Sequence, residues 1–309
     1  MLPMITVFSA PKAFTNPYIA VIQRNAIRSW LALGEHVQVL LIGEEEGLKE
    51  NAQELGVKYL PQVKRNDQGT PLVNSMFELA RQHSSSPYLA CVNADVILLP
   101  EFVEVVRQIS TRASEFLLVG QRWDLDVHEE LDFKAGWDGQ LRDVLQKRGR
   151  LHPPAGSDYF VFPRQCFVEM PRFAIGRAGW ANWMLFHARQ KGWLVVDATQ
   201  VLPVIHQDHD YSHLPGGQPH YKLPETLDNI RLAGGRRTIF TLLDANYVLS
   251  EGGLHKIPLR GKKLIREAEI FPLVKLHSYA LGELAFMICH PVKAWNEWRG
   301  RIEYKLRKR

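Results

Sequence analysis

The chain has 309 residues, of which 46% are hydrophobic and 23% are charged. This composition is typical of a globular enzyme and excludes an intrinsically disordered protein, and the length allows one large domain or two small ones. The three scattered cysteines indicate neither a disulfide framework nor a thiolate zinc site. No apolar run reaches the roughly 18 residues of a membrane span.

The formal net charge of +5 is concentrated at the C-terminal end. Residues 291–309 carry seven Lys and Arg against two Glu, whereas basic and acidic residues balance in the rest of the chain. The main body therefore gives no argument for binding nucleic acid. Residues 1–8 lack the basic flank and cleavage site of a signal peptide, so we expect a cytoplasmic protein.

Strand and helix signals alternate through the first hundred residues. Short apolar runs predict four strands, over residues 5–9, 37–42, 57–60 and 88–92. Helical spacing of apolar residues predicts helices between them, over residues 16–34, 44–55 and 71–82. The first of these helices begins at an Asn16-Pro17 cap and ends at Gly34. The βαβαβ order predicts a parallel sheet between layers of helices.

The pattern loosens after Asp95. Further strands are predicted over residues 116–120, 159–162, 194–196 and 201–206. Helices are predicted over residues 141–150 and 180–191.

Beyond about Thr238 the signals are helical and no strand alternation remains. We therefore expect a main domain over residues 1–238. Residues 239–309 are expected to form a helical, basic extension.

Polar residues follow two of the predicted strands, where ligands bind in an open parallel sheet. The first strand runs into residues 9–14, which lack the glycine pattern of a dinucleotide site, and no P-loop is present. The fourth ends in Asn93-Ala94-Asp95, whose alternation lets Asn93 and Asp95 reach one hard cation and its phosphates. A buried carboxylate is costly unless it is paired or bound to metal. Asp95 is therefore a candidate ligand, although it could equally cap the next element.

The order of these motifs resembles the donor half of GT-A-fold glycosyltransferases, most closely the family-2-like members. The residues that carry the resemblance are the loop 66–71, Asn74, the apolar helix after it and the strand that ends in Asn93-Ala94-Asp95. The resemblance covers about residues 1–215, and it implies a catalytic domain over residues 1–238 with a donor half of about 1–100 and an acceptor half of about 115–238. It implies a Rossmann-like, mostly parallel sheet flanked by helices, and an Asp-x-Asp motif that holds a divalent metal on a sugar-nucleotide diphosphate. Here Asn93 replaces the first Asp, so Asp95 is the main expected ligand.

The resemblance also implies residues that bind the nucleotide-diphosphate sugar. These are Ser9, Lys12, Asn66, Asp67, Asn93 and Asp95.

Two further segments resemble parts of the family that face the reacting sugars. Residues 155–164 are similar to the glycine-containing loop beside the donor sugar, where Asp158 would face a sugar hydroxyl or merely stabilise the turn. At the helix start where many GT-A enzymes carry a Glu-Asp pair, this chain has Ala181-Asn182, and an amide cannot act as a general base. Asn182 is expected to hydrogen-bond a sugar. Either Asp158 supplies the base, or the reaction retains configuration and needs none of this type.

Residues 206–213 contain three His and two Asp within eight positions, at the end of an apolar strand. GT-A enzymes often place a histidine metal ligand there, and His206 and His209 resemble it, with His206 preferred because it directly ends the strand. Mixed imidazole and carboxylate ligands favour Mn²⁺ over Mg²⁺. A solvated loop with structural histidines, or a hydrolytic zinc site, are the alternatives.

Residues 281–298 mix apolar side chains and two tryptophans with neighbouring basic residues. The segment suits either peripheral attachment to the inner face of an anionic membrane or a helix packed on the catalytic domain.

Two roles are possible for Trp180 and Trp183: their rings could stack on a sugar or fill the core.

Together these features predict a glycosyltransferase that moves a sugar from a nucleotide-diphosphate sugar to a hydroxyl of a glycan or lipid-linked acceptor, with a divalent metal. The alternatives are a catalytically inactive GT-A-like binding protein and a nucleotidyltransferase. The latter needs a glycine- and arginine-rich first loop, which residues 9–14 lack.

Overall fold

The structure, a computed structural model, describes residues 3–209 and 223–307. The strands, in chain order, are β1 (Ile5–Ser9), β2 (Val37–Ile42), β3 (Lys58–Leu60), β4 (Tyr88–Val92), β5 (Val96–Leu98), β6 (Phe116–Val119), β7 (Arg122–Leu125), β8 (Arg150–Leu151), β9 (Tyr159–Pro163), β10 (Leu194–Asp197), β11 (Val204–Gln207), β12 (Tyr247–Ser250) and β13 (Gly253–Lys256).

Helices connect most of these strands. They are α1 (Pro17–Leu31), α2 (Leu48–Glu54), α3 (Val73–Gln82), α4 (Glu101–Ser110), α5 (Trp137–Arg148), α6 (Trp180–Lys191), α7 (Pro224–Leu232), α8 (Gly261–Val274), α9 (Tyr279–Cys289) and α10 (Pro291–Arg307). The predicted cap of α1 is confirmed, because the Asn16 side chain accepts hydrogen bonds from the backbone N–H groups of Tyr18 and Ile19.

Over the described residues, nine strands form the main sheet in the order β13-β12-β10-β6-β9-β4-β1-β2-β3. The neighbours β3, β2, β1 and β4 run parallel, as do β6, β10 and β12. Strand β9 lies antiparallel between β4 and β6, and β13 is an antiparallel edge. The predicted fold class, a mostly parallel sheet flanked by helices, is confirmed.

A smaller sheet with the strand order β5-β11-β7-β8 lies beside the main one. Strand β11 pairs antiparallel with β5 and parallel with β7, so His206 lies opposite Val96 on one side and opposite Asp124 on the other. Because Asp95 immediately precedes Val96, this register brings Asp95, His206 and Asp124 to one place. The small sheet therefore positions the candidate site.

Helices cover both faces of the main sheet, and strands β1 and β9 are accordingly buried along their whole length. On one face Phe77 of α3 contacts Phe8 edge-on and stacks on Phe162. Trp180 and Trp183 are both buried in this same core, which confirms the packing role for the two tryptophans. Their rings are therefore part of the scaffold behind the site.

The prediction that no strand follows Thr238 is wrong. Strand β12 continues the main sheet parallel to β10, and β13 returns beside it in a hairpin. Only Leu249 of β12 is fully buried, because this hairpin forms the edge of the sheet, and so its sequence lacks a clear apolar alternation. A domain boundary near residue 238 stays a prediction, and helices α8–α10 form the end of the described chain.

Candidate functional site

The candidate site begins at the turn between β4 and β5, where Asp95 is only 7% exposed. The Asp95 carbonyl accepts hydrogen bonds from the backbone N–H and the side-chain amide of Gln207, at 3.1 and 3.2 Å. Gln207 is itself fully buried at the end of β11 and accepts a hydrogen bond from Asn25 at 3.0 Å. These bonds fix the Asp95 backbone against the strand that carries His206.

The structure brings the three residues predicted as metal ligands into one cluster. His209 Nε2 lies 3.1 Å from Asp95 Oδ2, and His206 Nε2 lies 4.0 Å from Asp95 Oδ1. One potential ligand atom of each residue lies within 4.8 Å of the others. Asp210 and His213 of the histidine-rich segment lie outside the described residues.

Lys12 places a positive charge at this cluster. Its Nζ lies 3.2 Å from Asp95 Oδ2 and 2.9 Å from His209 Nε2. Gln23 of α1 holds the Lys12 backbone from both sides, accepting from its N–H at 2.6 Å and donating to its carbonyl at 3.0 Å. The loop after β1 therefore presents the ammonium group to the buried carboxylate by fixed contacts.

Charge interactions control the ionisation of this cluster. Burial by itself raises the pKa of the Asp95 carboxyl, but Lys12 and the neighbouring imidazoles hold that pKa well below its usual range. Burial lowers the pKa of His206, yet the carboxylates of Asp124 and Asp95 outweigh it and raise that pKa above its usual value. The site therefore keeps an ionised carboxylate in a buried position.

The donor atoms of this cluster fit a divalent cation. Asp95 Oδ1 is buried and has no hydrogen-bond partner among the described residues. A buried polar atom left unpaired costs about 1–3 kcal/mol, so a native site of this kind calls for a partner. One carboxylate and two imidazoles supply an O,N,N set of donor atoms, which can hold a divalent metal ion.

Asp124 and Arg122 belong to this site, although the sequence analysis missed them. Asp124, His206 and Asp208 form a second group whose potential ligand atoms lie within 4.8 Å of one another. Asp124 accepts from Arg122 Nε at 2.8 Å and lies 2.8 Å from His152 Nδ1. The signal that could have found them is the alternation of Arg122 and Asp124 on one face of β7.

Asn93 and Asp158 form a hydrogen-bonded pair beside Asp95. Asn93 Nδ2 donates to Asp158 Oδ1 at 2.6 Å, and the Asn93 backbone N–H donates to the Asp158 carbonyl at 2.9 Å. Arg122 Nη1 donates to the other carboxylate oxygen at 2.5 Å. An aspartate at position 93 would place two carboxylates in contact, whereas asparagine donates a hydrogen bond. The departure from Asp-x-Asp thus has a local physical reason.

The other predicted site residues do not contact the Asp95 cluster in the described structure. Asn182 Nδ2 donates to the Phe240 carbonyl at 2.8 Å, which ties α6 to the chain before β12. Ser9 is buried at the end of β1, and Asp67 is exposed in the turn after β3. Their functional roles stay predictions.

Asn66 contacts a second polar group that the sequence analysis also missed. Asn66 Nδ2 donates to Glu225 Oε1 at 2.6 Å, and Arg177 Nε donates to Glu225 Oε2 at 2.7 Å. Burial raises the pKa of Glu225, but the hydrogen bonds from Asn66, Thr70 and Arg177 outweigh burial and hold that pKa below its usual value. The buried carboxylate thus fastens the predicted nucleotide loop to α7.

No protein-family model matches the chain, and no curated protein matches it. Among solved structures, glucosyl-3-phosphoglycerate synthase from Mycobacterium tuberculosis is 14% identical, with a TM-score of 0.48 over 76% of this chain and 82% of that chain. Its complex with Mn²⁺, uridine diphosphate and phosphoglyceric acid gives a TM-score of 0.47 at 14% identity, over 83% of this chain and 87% of that chain.

A mannosyltransferase from Pyrobaculum calidifontis, solved with GDP-Man and Mn²⁺, is 10% identical, with a TM-score of 0.43 over 69% of this chain and 59% of that chain. These neighbours are glycosyltransferases, the class of enzyme that the sequence resembles. At these identities and TM-scores no property of the neighbours is transferred to this chain, and proposals about substrate or activity depend on the chain's own residues.

Proposed function

We propose that this protein is a glycosyltransferase that moves a sugar from a nucleotide-diphosphate sugar to a hydroxyl acceptor, with a divalent cation held by Asp95, His206 and His209. The observation that carries the proposal is the buried Asp95 carboxylate, which lies between two imidazoles and has one oxygen without a hydrogen-bond partner among the described residues. The site lies where an apolar strand of a parallel sheet ends, as ligand sites of such sheets do.

The cation and Lys12 share one task in this proposal. A bound divalent cation neutralises charge that develops on a leaving diphosphate. The Lys12 ammonium, anchored through Gln23, adds a second positive charge at the same place and would contact phosphate oxygens. Ser9, Asn66 and Asp67 remain the residues proposed to contact the nucleotide. Two imidazole ligands are the reason to propose Mn²⁺ ahead of Mg²⁺.

Asp158 and Asn182 are the residues proposed to face the reacting sugars. Because Asn93 and Arg122 engage both oxygens of Asp158, the geometry favours a role in holding a sugar hydroxyl over abstraction of a proton. This favours a reaction that retains configuration, which needs no base of this type. The acceptor class that we propose remains a glycan or a lipid-linked sugar, and a cytoplasmic location remains an expectation.

The test combines donor screening with the removal of the proposed ligand. UDP- and GDP-sugars are incubated with the full chain and Mn²⁺, Mg²⁺ or EDTA, and release of nucleoside diphosphate is measured together with binding of the nucleotide by calorimetry. We expect nucleotide release that requires the metal, fastest with Mn²⁺. Asp95→Asn should lower metal-dependent release at least ~100-fold, since it removes the carboxylate while conserving size.

Asp228→Asn is the matched control, because Asp228 is an exposed carboxylate on α7 whose ion pair with Arg231 is a surface contact. It should leave both activity and binding unchanged. Unimpaired, metal-dependent turnover by Asp95→Asn would refute the assignment of Asp95. Nucleotide binding that is unchanged by EDTA would refute the metal site.

A binding protein without turnover is the second candidate. The observation that favours it is the full engagement of Asp158, together with the hydrogen bond of the Asn182 amide to the Phe240 carbonyl. In that case the calorimetry would show metal-dependent binding of a nucleotide sugar, whereas no donor would be consumed with any acceptor.

A further inference from the structure

Helices α9 and α10 leave large apolar side chains on the protein surface. Ile288 is 71% exposed and Val292 is 72% exposed, far more than is usual for such residues. Six of the exposed apolar residues on these two helices form what we call the C-terminal apolar surface: Leu284, Met287, Ile288, Val292, Trp295 and Trp298.

Polar contacts help to attach these helices to the rest of the molecule. Arg237, which follows α7, donates to Glu297 of α10 at 2.7 Å and to Glu283 of α9 at 3.2 Å. The Arg237 guanidinium also lies over the ring of Phe286. Glu283 of α9 and Glu297 of α10 thus contact the body.

Two exposed apolar side chains of α10, those of Val292 and Trp295, lie on the side of the helix away from Glu297. At 3.6 residues per turn, Glu297 is rotated about 200° from Trp295, so the ion pair with Arg237 and this tryptophan occupy opposite faces. Val292, Trp295 and Trp298 follow one another at intervals of three residues, which makes them neighbours on the helix surface. The contact of Glu297 with the body therefore leaves these apolar side chains exposed.

These exposed apolar side chains call for a second apolar medium, because exposed apolar patches on a protein surface mark binding to a partner or a membrane. The rings of Trp295 and Trp298 lie 5.0 Å apart, and tryptophan is the residue enriched at membrane interfaces. Residues 291–309 add seven basic residues against two acidic ones. Anionic lipid head groups complement that charge, whereas a second copy of the chain would bring an equally basic end and repel it.

We propose that the C-terminal apolar surface binds the surface of an anionic lipid bilayer. Among the described residues, no helix is both long and apolar enough to cross a bilayer, so the contact is interfacial: apolar side chains enter the head-group region and basic residues contact the lipid phosphates. The proposal goes beyond sugar transfer and does not depend on it.

The experiment is flotation of the full chain with vesicles of pure phosphatidylcholine and with vesicles that contain phosphatidylglycerol. We expect the protein to float with the anionic vesicles, to float much less with the neutral ones, and to be released as salt is raised. The double variant Ile288→Ser and Val292→Ser should lower the partition coefficient onto anionic vesicles at least ~10-fold, because each substitution removes apolar area from the contact. Lys293→Glu should weaken it about fivefold and only for anionic vesicles.

The matched control is Val168→Ser with Leu227→Ser, which changes two equally exposed apolar residues outside α8–α10. It should float like the unchanged protein. Circular dichroism checks that all variants are folded. No flotation of the unchanged chain, or equal losses in the double variant and in the control, would overturn the proposal. The proposal would also be overturned if light scattering shows that the unchanged protein is a dimer, the double variant is a monomer, and neither binds vesicles. A second copy of the chain would then cover the surface.

Discussion

The site around Asp95 and the end of the chain over α9 and α10 depart from the usual arrangement of side chains in opposite ways. Around Asp95, polar groups are buried or half-buried: a carboxylate, two imidazoles and an ammonium meet at the small sheet. At α9 and α10, apolar groups are exposed while Glu283 and Glu297 contact the body. Elsewhere, as in strands β1 and β9, apolar residues are buried between layers of helices.

The difference indicates where function lies. Burying charges costs free energy that only pairing or a bound ion offsets. An exposed apolar side chain does not contribute the hydrophobic free energy of folding that its burial would add. Proteins depart from local rules mainly at functional sites. The site around Asp95 therefore indicates a charged ligand. The surface of α9 and α10 indicates a partner that is apolar inside and negatively charged at its surface. Three substitutions test this comparison through stability.

The largest effect is expected at the buried charges. Arg122→Met leaves the carboxylates of Asp158 and Asp124 without the guanidinium that lies 2.5 and 2.8 Å from them. Breaking a buried ion pair costs about 3–5 kcal/mol, so the free energy of unfolding should fall by about that amount in urea denaturation. Arg107→Met is the control: it breaks an exposed pair with Glu104 and should cost less than about 1 kcal/mol. Similar losses in both variants would show that the charges near Asp95 are solvated.

A smaller effect is expected where the C-terminal helices attach to the body. Glu267 of α8 accepts from Arg189 Nη2 at 2.6 Å, and Lys263 Nζ lies 3.0 Å from its carboxylate. Burial raises the pKa of Glu267, but the bonds from Arg189 and Lys263 outweigh it, so the folded-state pKa lies below the usual 4.5. Glu267→Gln should lower the free energy of unfolding at pH 7 by about 2 kcal/mol.

The sign of the pH dependence follows from that lowered pKa. The stabilisation by the carboxylate is fully present above the unfolded-state value of 4.5 and is lost as the pH falls through the lower folded-state value. The difference between the unchanged protein and Glu267→Gln should therefore shrink in acid denaturation profiles below pH 4.5. Glu303→Gln, in an exposed pair with Arg299, should show almost no difference at any pH. A constant difference down to low pH would show that Glu267 acts by packing alone.

The smallest effect concerns the packing of α9 on α8. A Cβ at Gly282 would lie 2.5 Å from the buried side chain of Leu273, so Gly282→Ala should destabilise the protein by about 1 kcal/mol through overpacking, even though alanine favours a helix. A Cβ at Gly300 of α10 meets nothing within 4 Å, and Gly300→Ala should stabilise by up to about 1 kcal/mol. Stabilisation by both would mean that α9 is not packed tightly on α8.

Local patterns were sufficient for much of the fold. The strands over residues 5–9, 37–42 and 88–92 and the helix over 180–191 have the bounds that periodicity predicted. Strands β12 and β13 were not predicted, because an edge hairpin buries few side chains and its sequence therefore shows little apolar alternation.

Residue types and their spacing were enough to identify the classes of group in the site: an aspartate after a buried strand and histidines after another. Which of these groups meet follows from the fold. The register of β11 against β5 and β7 places His206 between Asp95 and Asp124, the loop after β1 brings Lys12 there, and Asn93 pairs with Asp158 across 65 residues. Periodicity is a property of neighbours along the chain, whereas these contacts depend on strand pairing between distant segments, which no local pattern encodes.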